Sequence, residues 1–252
     1  MSAILILGGT TEGYELAEKL ETREGGLVIS SLAGRTSSPR MPQGQVRIGG
    51  FGGVPGLIHY LTTHNIAAVI DATHPFARRM GWNAAQACAD THTPLVRLER
   101  PAWHPGPGDR WHSVQTWDQA VALVGQNSKR VLLAIGRQEL APFATLTEPF
   151  FLIRSVEQPD PMPPFVNAEL LLARGPFTVE DERRLLKDNL IDTVVCKNSG
   201  GNATDAKLTA ARELGVQVIM LDRPARPDVP TVASVGHAVT WLYGRGLINQ
   251  GP

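Results

Sequence analysis

Residues 4–13 read ILILGGTTEG, a short apolar run that breaks into two glycines, two threonines and a glutamate. The amphipathic stretch YELAEKLET follows at 14–22. A strand, a glycine-rich turn and a helix start in this order make an anion site. The helix N-terminus presents unpaired backbone N–H groups, and glycine lets a phosphate come close to them. Gly8 and Gly13 have the spacing of a P-loop, but Tyr14 and Glu15 stand where that loop needs Lys and Ser/Thr, which argues against a nucleotide triphosphatase. The dinucleotide pattern G-x-G-x-x-G fits at Gly8 and Gly13, with Thr10 in the middle glycine position. Gly9, Thr10, Thr11 and Glu12 complete a turn suited to a pyrophosphate.

Working outward, short apolar runs at 3–7, 27–31, 66–72 and 94–98 alternate with helical periodicity at 11–22, 54–64 and 76–90. Nearly continuous apolar strands are what a parallel sheet covered on both faces requires. The alternation resumes after residue 113, with strands at 130–136, 150–156, 168–173, 192–197 and 216–221 and helices at 178–189, 202–214 and 234–244. Between them, ERPAWHPGPGDRWHS (99–113) is proline- and glycine-rich and without period, as a linker is. The halves echo each other: ILILGG matches VLLAIG, and IAAVIDATHP matches IDTVVCKNSG, at nearly equal offsets. The expectation is an α/β chain of two Rossmann-like, doubly wound parallel-sheet domains, 1–98 and 114–252, with a cleft between them.

The composition fits this. The chain has 252 residues, 42% hydrophobic and 19% charged, with 24 basic against 24 acidic side chains. An even balance gives no electrostatic case for nucleic acid or an anionic membrane. Two distant cysteines, Cys88 and Cys196, fit no metal spacing and read as reduced thiols, so no metal is expected. With no leader-like start and no apolar stretch of membrane-spanning length, the sequence reads as soluble and cytoplasmic.

Two further clusters bear on chemistry. The second strand runs into VISSLAGRTSS (28–38), where Ser30, Ser31, Arg35 and Thr36 replace the acid that NAD-selective proteins use to bind the ribose. Hydroxyls and a guanidinium suit a 2′-phosphate, so NADPH is the expected cofactor. VIDATHPFARRMGWNA (69–84) places Asp71, Thr73 and His74 at the carboxyl end of a buried strand, the edge that faces ligands in open α/β sheets. Pro75 suits a helix start, and Thr73 could cap it.

With these residues in view, the chain resembles the precorrin-6A reductases of cobalamin (vitamin B12) biosynthesis over nearly its full length. The resemblance rests on LILGGTTEG, SLAGRT, VIDATHPFA, IGRQEL, ARGPF and KNSGG, of which DATHPFA is the most specific. It implies two Rossmann-like domains and a pyridine-nucleotide-dependent reduction of one double bond in a corrin-precursor macrocycle, precorrin-6A to precorrin-6B. It also implies that the glycine turn and the serine/arginine loop hold the cofactor, and a hand-over of the tetrapyrrole to neighbouring enzymes of the pathway. The nicotinamide should then lie beside Asp71, Thr73, His74 and Pro75, with His74 and Asp71 as the catalytic candidates and His74 the first candidate proton donor. A proton taken from solvent is the alternative. The macrocycle is rimmed with carboxylates, so Arg137, Arg174 and Lys197, at strand ends of the second half, are expected on the substrate surface. Ser199 and Gly200 are expected to open a helix that adds backbone N–H groups.

Three other readings compete. One is a cobalt-precorrin-6A reductase using NADH. Another is a two-domain nucleotide-sugar glycosyltransferase, for which Glu213 and Asp222 lack a persuasive context. The last is a two-lobed binding protein without activity, which would need a leader or a DNA-binding segment.

Overall fold

The computed structural model describes residues 3–21, 27–34, 41–202 and 204–249. Strand β1 (Ala3–Leu7) is buried along its whole length. Its alternate residues serve opposite faces: Ile4 and Ile6 join one core cluster, while Ala3, Leu5 and Leu7 join another. That two-sided burial is what its unbroken apolar sequence demands.

Then follow α1 (Thr11–Glu21), β2 (Leu27–Leu32), β3 (Gln45–Ile48), α2 (Gly53–Thr63), β4 (Ile66–Asp71), α3 (Arg78–Thr91) and β5 (Leu95–Leu98). Next come β6 (Trp111–Val114), α4 (Trp117–Asn127), β7 (Arg130–Ala134), β8 (Phe150–Ser155), β9 (Ala168–Leu172), α5 (Val179–Asp188) and β10 (Thr193–Lys197). The order ends with α6 (Ala206–Leu214), β11 (Gln217–Leu221), β12 (Thr231–Val232) and α7 (Val235–Tyr243). Two six-stranded sheets result, ordered β3-β2-β1-β4-β5-β12 and β9-β8-β7-β10-β11-β6, with every pairing parallel. Both contain the doubly wound dinucleotide-binding order: β1 of the first sheet and β7 of the second lie in the middle, and the strand order reverses beside each. The α/β, Rossmann-like reading is therefore what the chain adopts.

The chain divides into two units, residues 1–101 with 224–252, and residues 102–223. This departs from the expected contiguous division. The C-terminal residues belong with the first sheet because β12 pairs with β5, and Ala238, Val239 and Leu242 of α7 enter the core beside Leu16, Ala17 and Leu20 of α1. Part of the expected linker is also a strand, since β6 extends the second sheet alongside β11. In the second unit Leu132, Leu152, Val194, Cys196, Val218 and Met220 form one core face. On the order of 1.5–3 kcal/mol for each fully buried aliphatic side chain makes these stripes the main stabilising term.

Two helix starts differ from expectation. Helix α3 begins at Arg78, not at Pro75, and Ala77 before it has no side chain able to cap. The residues ahead close a separate turn, in which the Ala77 N–H donates to the His74 carbonyl at 2.7 Å. Helix α6 begins at Ala206, so Ser199 and Gly200 lie in a loop, where Gly200 and Gly201 have φ of 68° and 74°. That left-handed conformation interrupts a right-handed helix.

Candidate active site

The reversal point of the first sheet lies between β1 and β4, the place where ligands enter such sheets. Three sequence stretches meet around it. After β1, Gly9 has φ 110°, and a side chain there would meet nothing within 4 Å. The turn is thus open on the side where a phosphate would approach. Gly13 is the opposite case: its Cβ would stand 3.4 Å from the Gly8 Cα and 3.5 Å from the Ala72 Cβ. Here helix α1 packs closely on the glycine turn and the loop after β4, at the position of the last glycine of the dinucleotide pattern. Thr10, in the middle glycine position, caps α1 by accepting the Gly13 N–H at 3.2 Å and donates its own proton to the Ala72 carbonyl at 2.8 Å. One hydroxyl thereby ties the glycine turn to the loop after β4. Thr11 is the first residue of α1, and the Glu12 carboxylate pairs with Arg100 at 2.7 Å.

The loop after β4 is built around Asp71, which is 1% exposed. One carboxylate oxygen accepts the Thr73 hydroxyl at 2.6 Å and the Thr73 N–H at 3.2 Å. The other accepts from Arg226 at 2.6 Å and lies 3.8 Å from the Arg97 Nε. Thr73 therefore serves Asp71 and does not cap α3. Burial and then the neighbouring Arg226 pull the Arg97 guanidinium below its ordinary value, against the opposing pull of Asp71. Burial, with Asp71 adding to it, pushes the Cys88 thiol up to about 12, which leaves it a core residue and no nucleophile. Half-buried His74 accepts the Phe76 N–H on Nδ1 at 3.2 Å, so a neutral ring carries its proton on Nε2. Pro75 is buried behind it.

At the end of β2, Ser30 and Ser31 are both buried. Ser31 Oγ accepts from Arg47 at 2.9 Å, which leaves the hydroxyl proton for another acceptor. Arg47 also donates to the carbonyls of Gly49 and Gly50 and lies flat on Phe51, 3.8 Å from the ring centre. Sequence reasoning passed over this residue, although RIGGFGG (47–53) follows a strand as the first glycine turn does. Arg35 and Thr36 lie outside the described residues.

In the second unit, Arg137 follows β7 and pairs with Glu157 at 3.0 Å, while Lys197, the last residue of β10, pairs with Glu139 at 2.5 Å. Arg174 is exposed in the loop after β9. The loop 198–201 is pinned by Trp103. The Trp103 N–H donates to the Asn198 side chain at 2.8 Å, the Asn198 amide donates back at 3.0 Å, and the indole N–H donates to the Gly201 carbonyl at 2.8 Å. The linker tryptophan thus organises KNSGG, a role no local pattern announces across 95 residues of separation.

The comparisons with known proteins agree with this geometry. The family model described as "Precorrin-6x reductase CbiJ/CobK" matches residues 3–243. A precorrin-6A reductase of Rhodococcus erythropolis is 48% identical over 96% of this chain and 98% of its own. One of Rhodobacter capsulatus is 44% identical over the whole of both chains. A solved structure titled "CobK precorrin-6A reductase" superposes over the whole of both chains with a TM-score of 0.94 at 44% identity. A glycine turn tied to the His74 loop at a reversal point, on two sheets of dinucleotide-binding order, together with these matches, means that the chain belongs to the precorrin-6x reductase family.

Proposed function

We propose that this chain reduces one double bond of precorrin-6A, giving precorrin-6B, with NADPH as reductant, in the cytoplasmic synthesis of cobalamin. The observation that carries the reading is the Thr10 hydroxyl bonded to the Ala72 carbonyl, which ties the glycine turn to the His74 loop at the reversal point of the first sheet. When bound, the reduced nicotinamide supplies the hydride.

The chain's own residues do the rest. The Gly9, Thr10 and Thr11 N–H groups and the Thr11 hydroxyl are donors for the pyrophosphate, while Gly8, whose N–H is held by the Ser31 carbonyl, lets the phosphate come close. Ser31, its oxygen occupied by Arg47, turns its proton to the adenosine ribose or its 2′-phosphate, with Ser30 beside it, and Arg35 and Thr36 complete that end. Thr73 and Pro75 shape the nicotinamide end. His74, whose Nδ1 accepts the Phe76 N–H, offers its Nε2 proton to the macrocycle. Asp71 orients the loop through Thr73 and Arg226. Arg137, Arg174 and Lys197, with the backbone of Ser199 and Gly200, receive the substrate carboxylates. Glu139 and Glu157 occupy two of these cations and give way when the substrate carboxylates arrive.

Calorimetric titration with NADPH and NADH tests the cofactor assignment. NADPH should bind at least tenfold more tightly, and Arg35→Ala or Arg47→Met should each remove roughly tenfold or more of that preference, as loss of a charge-assisted contact does. Equal affinity for the two nucleotides would overturn the NADPH assignment and return the NADH-using cobalt-route enzyme.

A further inference from the structure

The segment that returns the chain from the second unit to the first reads DRPARPDVP at 222–230. It contains two arginines three residues apart. Arg226 donates to the carbonyls of His74 and Pro75 at 3.2 and 3.1 Å and to Asp71 at 2.6 Å. Its side chain is 7% exposed. Arg223 belongs to the other unit and does the equivalent there: its Nε–H donates to the Asn198 carbonyl at 3.0 Å and its Nη2–H to the Ser199 carbonyl at 3.1 Å. Arg226 thus holds the loop after β4 and Arg223 the loop after β10, each at the reversal point of its own sheet.

A planar guanidinium holds acceptors on different nitrogens at fixed spacing, as Arg226 does with the carbonyls on Nη1 and Asp71 on Nη2, which an ammonium on a flexible stem cannot. The seat of Arg226 is also shaped for it. A Cβ on Gly81 of α3 would stand 3.0–3.1 Å from three guanidinium atoms, so glycine at 81 keeps the space in which that plane lies. Arg97, whose guanidinium donates to the Pro227 carbonyl at 2.7 Å, fixes the segment one residue further on.

We infer that Arg226 and Arg223 are positioning residues for the reaction: Arg226 sets the His74 loop against the cofactor site, and Arg223 sets the Asn198–Ser199 loop against the macrocycle. The inference rests on the functional reading above. Arg226 acts through the His74 and Pro75 carbonyls and through Asp71. Its loss should therefore slow turnover and leave ground-state binding nearly unchanged. Arg223 acts on a binding loop, so its loss should weaken macrocycle capture.

The test uses the full chain and four variants, Arg226→Lys, Arg226→Met, Gly81→Ala and Arg223→Lys. It measures kcat, KM for precorrin-6A, NADPH affinity by calorimetry, Tm, and the tautomer of His74 by nitrogen NMR. Gly81→Ala keeps every charge and improves helix propensity, so it probes the seat of Arg226 where Arg226→Met disturbs folding. Both Arg226 variants and Gly81→Ala should lower kcat about tenfold to a hundredfold, the size of effect expected from ångström-scale misplacement. KM and NADPH affinity should stay within about threefold, and the His74 ring should lose its single Nε2–H tautomer. Arg223→Lys should raise KM about tenfold with kcat within about threefold. The inference is overturned if Arg226→Lys and Gly81→Ala keep wild-type kcat and tautomer, or if every parameter falls together with Tm. A wild-type protein that binds neither NADPH nor the macrocycle would sink the functional reading instead, and the tautomer would still report on the clamp.

Discussion

The two units share one topology and differ in what they place at its reversal point. In the first sheet β4 lies beside β1, in the second β10 lies beside β7, and both β4 and β10 end in a charged residue, Asp71 and Lys197. In each, an arginine from the returning segment bonds the carbonyls of the loop beyond. The charges, however, are inverted and differently housed. Asp71 is sealed among Arg97, Arg226 and Thr73, whereas Lys197 is partly exposed and paired with Glu139. The turns after the central strands β1 and β7 differ as well. After β1 a glycine turn leads directly into helix α1, while after β7 Gly136 leads into two short 3-10 turns, Arg137–Glu139 and Ala141–Thr145. One frame therefore carries an open glycine turn in the first unit and the paired cations Arg137 and Lys197 in the second. That contrast is what cofactor and polycarboxylate substrate respectively ask for.

The largest effect should come from the sealed acid. Asp71→Ala leaves two buried arginines without their carboxylate and should cost about 3–5 kcal/mol in urea unfolding. Lys197→Ala removes a partly exposed pair and should cost about 1 kcal/mol or less. Equal losses at the two positions would erase the distinction between a structural charge and a functional one. Lys197→Met and Arg137→Met should instead each raise KM for the macrocycle by roughly tenfold, with NADPH affinity unchanged, since a charge-assisted contact to a carboxylate is lost. A matching loss of NADPH affinity would place these cations at the cofactor.

A smaller effect is expected in the linker, where Arg212 meets both oxygens of Asp109 at 2.9 Å. Burial works to raise the Asp109 carboxyl, but the Arg212 bonds and the Gly106 N–H outweigh it and hold it below its ordinary value. An acid with a depressed folded-state value contributes stability above its unfolded pKa of about 3.9, and that contribution is lost as pH falls through the folded value. Asp109→Asn should therefore cost about 1–3 kcal/mol at neutral pH and progressively less below about pH 4. A penalty that persists at low pH would show that packing, and not the charge pair, is what the asparagine disturbs.

Much of this frame is legible in the sequence, because buried parallel strands must be apolar on both faces. The echo of ILILGG in VLLAIG does mark the central strands β1 and β7, and that of IAAVIDATHP in IDTVVCKNSG marks β4 and β10 beside them. The edge strands β3, β6 and β12 are short and largely exposed, and so leave no such run to read. Helix α4 does carry a signal that went unread, Thr116 capping the Gln119 N–H. Within the candidate site, Gly8, Gly9, Thr10 and the DATHP loop are local patterns and could be found from the chain alone. Arg226 and Trp103 act on residues about 150 and 95 positions away, and nothing in RPAR or PAWH announces a bond to a distant carbonyl. The break after Pro75 was hidden for a related reason. A proline that suits a first helical turn also suits the isolated turn that His74 closes.

The central claim is that one topology is divided between cofactor and substrate, and the glycines after β1 and β7 test it most directly. Gly9 has φ 110° and Gly136 φ 90°, and at neither would a side chain meet anything within 4 Å. The same replacement by valine therefore imposes comparable backbone strain and the same added bulk at each. Calorimetric titration of Gly9→Val and Gly136→Val with NADPH should show affinity lowered by roughly a hundredfold in the first and within about threefold of wild type in the second. Equal loss in both variants, or loss only at Gly136, would contradict the division.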